Sequence, residues 1–145
     1  MIDQSASTRF FWLGLLLPDF CLSSQAIAML KSLSSIQLGF DWQRLNQLAG
    51  EDPDFATELL AMFLQDAEES LARLDRAIEQ RSLQAVEDLA HTLKGASANV
   101  GAGAMSAVAT QLEDTARCGE TGKARALLGM LGEHCEALRA ELALG

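Results

Sequence analysis

The chain is poor both in residues that interrupt helices and in residues that favour sheets. Its 145 residues include 2 prolines and no tyrosine, and aromatic residues make up only 6% of the sequence. Alanine, leucine, glutamate and glutamine are abundant instead, and these residues favour helices over strands. The composition therefore predicts one all-α domain, and the 49% of hydrophobic residues can form its core.

Cysteine is also scarce. Cys21, Cys118 and Cys135 are odd in number and form no CxxC spacing, which argues against a disulfide framework and a zinc site. Reduced thiols of this kind predict a cytoplasmic protein, with Cys118 and Cys135 as small buried apolar residues. The chain has no HExxH sequence and His134 next to Cys135 is an isolated pair, so no metal site is predicted.

Basic residues are too few for a polyanionic partner. Lys and Arg number 11 against 20 Asp and Glu, which gives a formal net charge of −9. The charges within residues 1–39 cancel, so the whole excess lies in residues 40–145. Nucleic acids and anionic membrane surfaces require clustered basic residues. The acidic body therefore predicts a protein partner, with no nucleic acid and no membrane.

Residues 1–39 differ from the remainder and form an N-terminal extension. Pro18 and Asp19 interrupt its apolar run well before the ~20 residues of a membrane span. The same break and the balanced charge argue against a signal peptide. Two alternatives stay open, namely a natural start at Met29 or a short extra helix over residues 24–36.

From residue 40 onward, apolar residues recur at helical spacing. FDWQRLNQLAG predicts a short helix that is capped by Asp41 and ended by Gly50. A long amphipathic helix follows, with Pro53 and acidic residues in its first turn, as helix N-termini prefer. Its apolar positions are Phe55, Leu59, Met62, Phe63, Ala67, Leu71, Leu74 and Ile78.

Three more helices complete the pattern. The third extends from Leu83 to about Asn99, with Ser82 as its cap and the GAGA sequence of residues 101–104 after it. The CGET sequence of residues 118–121 separates the fourth helix from the fifth. Four longer helices with short connections predict an antiparallel up-and-down four-helix bundle with a short leading helix, over residues 40–145.

The third helix contains one histidine in the sequence LAHTLKGASANVGA. At about 100° per residue, a core stripe of apolar residues lies at least about 140° from His91. His91 therefore projects to solvent, although geometry alone also allows a surface histidine without a role. The core stripe consists of Val86, Leu89, Leu93, Ala96 and Val100.

The neighbours of His91 favour a functional site. Lys94 can bring its ammonium beside the imidazole, which suits a dianionic group attached there. Gly95 costs about 1 kcal/mol in a helix interior relative to alanine, so clearance for a large partner explains it better than the alternative of close helix packing. The residues within about 60° of His91 are Gln84, Glu87, Asp88, Lys94, Gly95 and Ala98.

These residues resemble the histidine-containing phosphotransfer (HPt) domain over roughly residues 40–144. The family pattern is H-x-L-K-G-x-S followed by Gly-Ala, and LLAMFLQDAEESLARLDRAIEQ upstream and QLEDTAR downstream add to the likeness. The resemblance implies that His91 accepts a phosphoryl group from a receiver-domain aspartate and passes it to a response regulator. It also implies that Lys94 neutralises the phosphate and Gly95 gives clearance, while Ser97, which is turned toward the core, supports the site. The matching positions are His91, Leu93, Lys94, Gly95, Ser97, Gly101 and Ala102.

The resemblance further implies a stoichiometric phosphocarrier rather than an enzyme. No phosphate-binding GxxxxGK[ST] loop occurs, and GAGAMS does not fit GxGxxG. We expect no cofactor on this chain, with Mg²⁺ on the receiver, which docks on Gln84, Glu87, Asp88 and Ala98 around His91. One alternative is an adaptor that docks receivers without carrying phosphate. Another is a ligand- or metal-sensing bundle, which would need polar core positions.

Overall fold

A computed structural model describes residues 39–144 and confirms the all-α bundle. Its helices are α1 Trp42–Leu48, α2 Pro53–Glu79, α3 Leu83–Val100, α4 Gly103–Cys118 and α5 Thr121–Leu144. The four long helices pack in a ring. In this ring α3 lies between α2 and α4, and α5 packs against α2 and α4 on the other side. Because only residues 80–82, 101–102 and 119–120 connect them, consecutive helices run antiparallel.

Side-chain caps set the beginnings of α1 and α2. Asp41 accepts a hydrogen bond from the Arg44 backbone N–H at 3.1 Å. Asp52 accepts from the backbone N–H of Asp54, while Pro53 occupies the first helical position. The predicted starts of both helices are therefore confirmed.

The predicted cap of α3 is wrong in one respect. Ser82 is the residue before the helix, but its side chain makes no capping hydrogen bond in the described part of the chain. Its backbone, at φ −85° and ψ 83°, lies outside the extended conformation that directs a capping oxygen toward the free N–H groups.

Gly101 ends α3 and connects it to the segment before α1. Its φ of 88° is left-handed, and a Cβ at this position would lie 2.5 Å from the carbonyl oxygen of Asp41. The Asp41 N–H donates to the Gly101 carbonyl at 2.8 Å, and Phe40 pairs with Ala102 as an isolated bridge. Because α4 already begins at Gly103, only two residues of the GAGA sequence form the turn.

The buried face of α3 is rotated slightly from the predicted stripe. Ala96 is exposed, while Ala90 and Ser97 are fully buried, because α3 packs against helices on two sides. Val86, Leu93 and Val100 are buried as predicted, and they keep His91 on the outer side.

Two apolar positions of α2 also differ from the predicted pattern. Phe55 and Met62 are 44% and 61% exposed, while Leu60 is fully buried. Phe55 and Met62 lie about 140° or more from Leu60 around the helix, so they face away from the bundle.

The two described cysteines have different environments. Cys135 is buried, as expected, and burial raises the pKa of its thiol to about 11, so the thiol stays protonated at neutral pH. The prediction for Cys118 is wrong: it is exposed, because it is the last residue of α4 and precedes the left-handed Gly119.

Within residues 39–144, no helix has both the length and the apolar character needed to cross a membrane. The predicted helix over residues 24–36 and the alternative start at Met29 lie outside the described residues.

Candidate functional site

His91 lies near the middle of α3, on the side that faces away from the core. Val86, Leu93 and Val100 of the same helix are buried and fix its orientation. The His91 side chain is 67% exposed. The structure thus places the imidazole at the surface, as the helix geometry predicts.

A buried carboxylate of the neighbouring helix holds one edge of the imidazole. The Glu113 side chain of α4 is 4% exposed, and its Oε1 lies 3.1 Å from His91 Nδ1. Its Oε2 accepts a hydrogen bond from Lys94 Nζ at 2.7 Å. This bond, with smaller contributions from His91 and Arg117, holds the pKa of Glu113 below its ordinary value, although burial acts in the opposite direction. Glu113 is therefore ionised at neutral pH.

The ionised carboxylate determines the tautomer of His91. A carboxylate only accepts hydrogen bonds, so the nitrogen that faces Glu113 must be the donor. Nδ1 therefore carries the proton, and Nε2 of the neutral ring carries the lone pair. Because Nδ1 faces Glu113, Nε2 lies on the other edge of an exposed ring. The arrangement provides a nucleophilic nitrogen to an approaching electrophile.

Arg117 joins the same network from one turn further along α4. Its Nη2 donates to Glu113 Oε1 at 2.6 Å, and its Nε donates to Glu87 Oε1 of α3 at 2.8 Å. The hydrogen bond with Glu87, followed by the charge of Glu113, raises the pKa of Arg117 further above its ordinary value. One guanidinium therefore links the two helices that carry the site.

Lys94 is held at both its ammonium and its backbone. Its half-buried side chain reaches Glu113, so His91 and Lys94 bind the same carboxylate from one face of α3. The Ser106 hydroxyl of α4 donates to the Lys94 carbonyl at 3.2 Å. The α3 turn that follows His91 is therefore tied directly to α4.

The surface next to His91 is open. Gly95 is exposed, and apart from its chain neighbours and the backbone of its own helix, a Cβ added to it would meet no atom of the described residues within 4 Å. Close helix packing therefore does not explain this glycine. Ala98 is exposed one turn further on. Residues 39–144 thus leave this side of α3 open for a partner protein to approach the imidazole.

The remaining predicted site residues lie around or beneath this surface. Gln84 and Asp88 are exposed and hydrogen-bonded to each other at 3.0 Å, whereas Glu87 is half-buried in its ion pair with Arg117. Ser97 is fully buried, and its hydroxyl finds no hydrogen-bond partner among the described residues. Ser97 therefore contributes its small size to the α3 interface and no hydrogen bond to the site.

Glu113 and Arg117 lie in the QLEDTAR stretch that adds to the family likeness, but neither they nor Ser106 were singled out from the sequence as site residues. Glu113 had a further usable signal, because it follows Ala109 and precedes Ala116 at helical spacing on the buried side of α4. A charged residue at such a position must be paired, and a buried charge is a frequent component of a functional site. Nothing in the sequence identified its partners, which lie on another helix.

Within residues 39–144, His, Cys, Asp and Glu side chains form no cluster that could hold a metal ion. His134 is half-buried beside the buried Cys135.

Comparisons with known proteins bear on the family and on the fold. A family model described as the Hpt domain matches residues 58–142. Histidine-containing phosphotransfer protein 1 of rice (Oryza sativa subsp. japonica) is 34% identical over 85 residues, which cover 56% of this chain and 58% of that protein. The chain thus matches less than two-thirds of the length of this relative.

Solved structures extend the likeness to the fold. The crystal structure of histidine-containing phosphotransfer protein B from Pseudomonas aeruginosa matches with a TM-score of 0.67 and 31% identity, covering 72% of this chain and 91% of that one. A second structure, from rice, has a TM-score of 0.71 at 23% identity and covers 83% of this chain and 91% of its own. This second likeness bears on the fold alone.

Proposed function

The chain belongs to the Hpt domain family, and from this premise we propose that it is a phosphocarrier of two-component signalling in which His91 carries the phosphoryl group. The observation that supports this role most directly is the contact between His91 Nδ1 and the ionised Glu113, because it leaves Nε2 as the exposed nucleophile. The donor is the phosphorylated aspartate of a receiver domain, and the acceptor is the aspartate of a response regulator.

The transfer step requires no proton to leave the histidine. Nε2 attacks the phosphorus of the aspartyl phosphate, a nitrogen–phosphorus bond forms, and the bond from phosphorus to the aspartate oxygen breaks. The aspartate leaves as a carboxylate with the electron pair. Nδ1 keeps its proton, and the positive charge gained by the ring faces Glu113 at 3.1 Å. In the onward step the acceptor aspartate oxygen attacks phosphorus, and Nε2 recovers its lone pair.

Lys94 and Gly95 have complementary roles in this proposal. The Lys94 ammonium lies one turn from His91 and supplies positive charge to the phosphoryl oxygens. Gly95 leaves space for the receiver, which docks on the surface formed by Gln84, Glu87, Asp88 and Ala98 around His91. Such docking needs only a modest transient interface.

The chemistry is divided between the two partners. Phosphoryl transfer depends mainly on positioning and on neutralisation of charge. In the proposal the receiver supplies Mg²⁺, and this chain supplies the nucleophile, its orientation and the Lys94 charge. The chain then acts stoichiometrically and needs no cofactor of its own.

The test is incubation of the chain with a phosphorylated receiver domain and Mg²⁺. We expect a phosphate on the chain that is labile in acid and stable in base. His91→Gln should abolish it with unchanged helicity, and His134→Gln, which removes the other histidine of the sequence, should not. Label that persists in His91→Gln would refute the role of His91. Receiver binding without any labelling would favour the adaptor.

A further inference from the structure

Three donors share Glu113, and they divide between its two oxygens. Oε1 lies 3.1 Å from His91 Nδ1 and 2.6 Å from Arg117 Nη2, while Oε2 lies 2.7 Å from Lys94 Nζ. The contacts on Oε1 therefore do not require Lys94 to be present.

Phosphorylation would compete with Glu113 for Lys94. A dianionic phosphoryl group on Nε2 attracts the nearest ammonium, and the flexible lysine stem allows Nζ to change partners. Glu113 would then lose one of its cations while its side chain is still 4% exposed. A buried carboxylate that lacks a cation tends to take up a proton, and a protonated Glu113 would no longer fix the proton on His91 Nδ1.

Arg117 is suited to prevent this loss. Its Nε donates to Glu87, one turn before His91 on α3, while Nη2 donates to Glu113 on α4. The planar guanidinium can hold both carboxylates at once through separate N–H groups, which an ammonium on a flexible stem does less well. Arg117 is thus held by Glu87, with Asp114 Oδ1 3.6 Å from its Nη1, and not by Lys94.

We propose that Arg117 is a positioning residue of the relay, which holds Glu113 against His91 Nδ1 once Lys94 has turned to the phosphoryl group. The biological setting of this inference rests on the proposed function. Its main test does not, because the state without Lys94 can be created in the unphosphorylated chain.

The test compares the His91 tautomer in Lys94→Ala and in Lys94→Ala with Arg117→Met. Lys94→Ala imitates the departure of the ammonium, and Arg117→Met removes the guanidinium while keeping a long aliphatic chain. Imidazole ¹⁵N chemical shifts, measured by NMR above the pH at which the ring is protonated, report which nitrogen carries the proton. Arg125→Met in the same background is the matched control, because Arg125 also forms an ion pair between helices, with Asp75 at 3.3 Å.

We expect the Nδ1–H tautomer to dominate in wild type, in Lys94→Ala and in the Arg125 control. In the Lys94→Ala/Arg117→Met variant, the ratio of Nδ1–H to Nε2–H should fall about tenfold, the order expected for one charged hydrogen bond. An unchanged ratio in that variant would overturn the proposal, as would loss of the Nδ1–H tautomer in Lys94→Ala alone. If the double variant does not fold, Arg117→Gln replaces Arg117→Met, with the same criteria.

A second measurement connects the inference to phosphotransfer. Arg117→Met should slow the phosphorylation of His91 by a phosphorylated receiver domain about tenfold relative to Arg125→Met, because the positive charge that the ring gains during the attack would face a less firmly held carboxylate. Equal rates would overturn the proposed role of Arg117 while leaving His91 as the phosphate carrier. Absence of phosphorylation in wild type would instead refute the proposed function and would leave the tautomer result standing.

Discussion

A substitution at Gly95 can distinguish an effect on the stability of the chain from an effect on receiver docking. It lies in the interior of α3, and a Cβ there meets no atom of the described residues within 4 Å. Replacement by leucine should therefore stabilise the helix by about 0.8 kcal/mol, because leucine forms helices nearly as well as alanine. For a domain of this size, that gain corresponds to a rise in Tm of about 3 °C.

The same substitution should impair transfer. The leucine side chain would occupy the surface beside His91 on which the proposed receiver domain docks. A clash that costs about 1.4 kcal/mol in a modest interface lowers the affinity about tenfold. We expect the rate of phosphorylation from a receiver domain, measured at subsaturating receiver, to fall by about that factor or more.

Gly129→Leu is the matched control. Gly129 lies inside α5, and a Cβ there also meets no atom of the described residues within 4 Å. Gly129→Leu should raise Tm by a similar amount and leave the transfer rate unchanged. Wild-type transfer by Gly95→Leu would refute the clearance argument. A lower Tm of Gly95→Leu would show instead that Gly95 is needed for packing.

Three further changes test the site and the fold. Glu113→Gln should slow transfer about tenfold. Because the pKa of Glu113 is lowered in the folded chain, wild type has extra stability above the ordinary carboxyl pKa of 4.5 and loses it as pH falls through the lowered pKa. Glu113→Gln should lack this extra stability, which an acid titration of helicity measures. A wild-type acid profile in Glu113→Gln would contradict this. In urea denaturation, Leu60→Ala should lose about 2–5 kcal/mol, whereas the exposed Met62→Ala should lose little; equal losses would refute the assigned burial. Gly101→Ala should be more destabilising than Gly50→Ala. Both glycines have a left-handed φ (88° and 68°), but only at Gly101 does a backbone atom lie 2.5 Å from the new Cβ. The reverse order would show that the contact is unimportant.

The sequence predicted the features that are determined locally. The cap at Asp41, Pro53 in the first turn of α2 and the periodicity of α2 act within a few residues, so these helices and their beginnings could be placed. The outward position of His91 followed in the same way from its spacing to Leu93 on one helix.

Features that depend on the packing of helices could not be placed as well. His91 and Glu113 are 22 residues apart, and their contact exists only because α3 and α4 are neighbours in the ring. The exposure of Met62 and Ala96 likewise depends on which neighbours each helix has. A periodic pattern identifies a helix and one apolar face, but it does not determine the width of that face.

The proposed mechanism depends most directly on the contact between Glu113 and His91 Nδ1. Because Nδ1 carries the proton, the proposed phosphorylation of His91 would occur on the other ring nitrogen. NMR of the phosphorylated, ¹⁵N-labelled chain measures this through the coupling between ³¹P and the imidazole nitrogens. We expect phosphorus to be bonded to Nε2 of His91, and a phosphate on Nδ1 or on another residue would contradict the proposed mechanism.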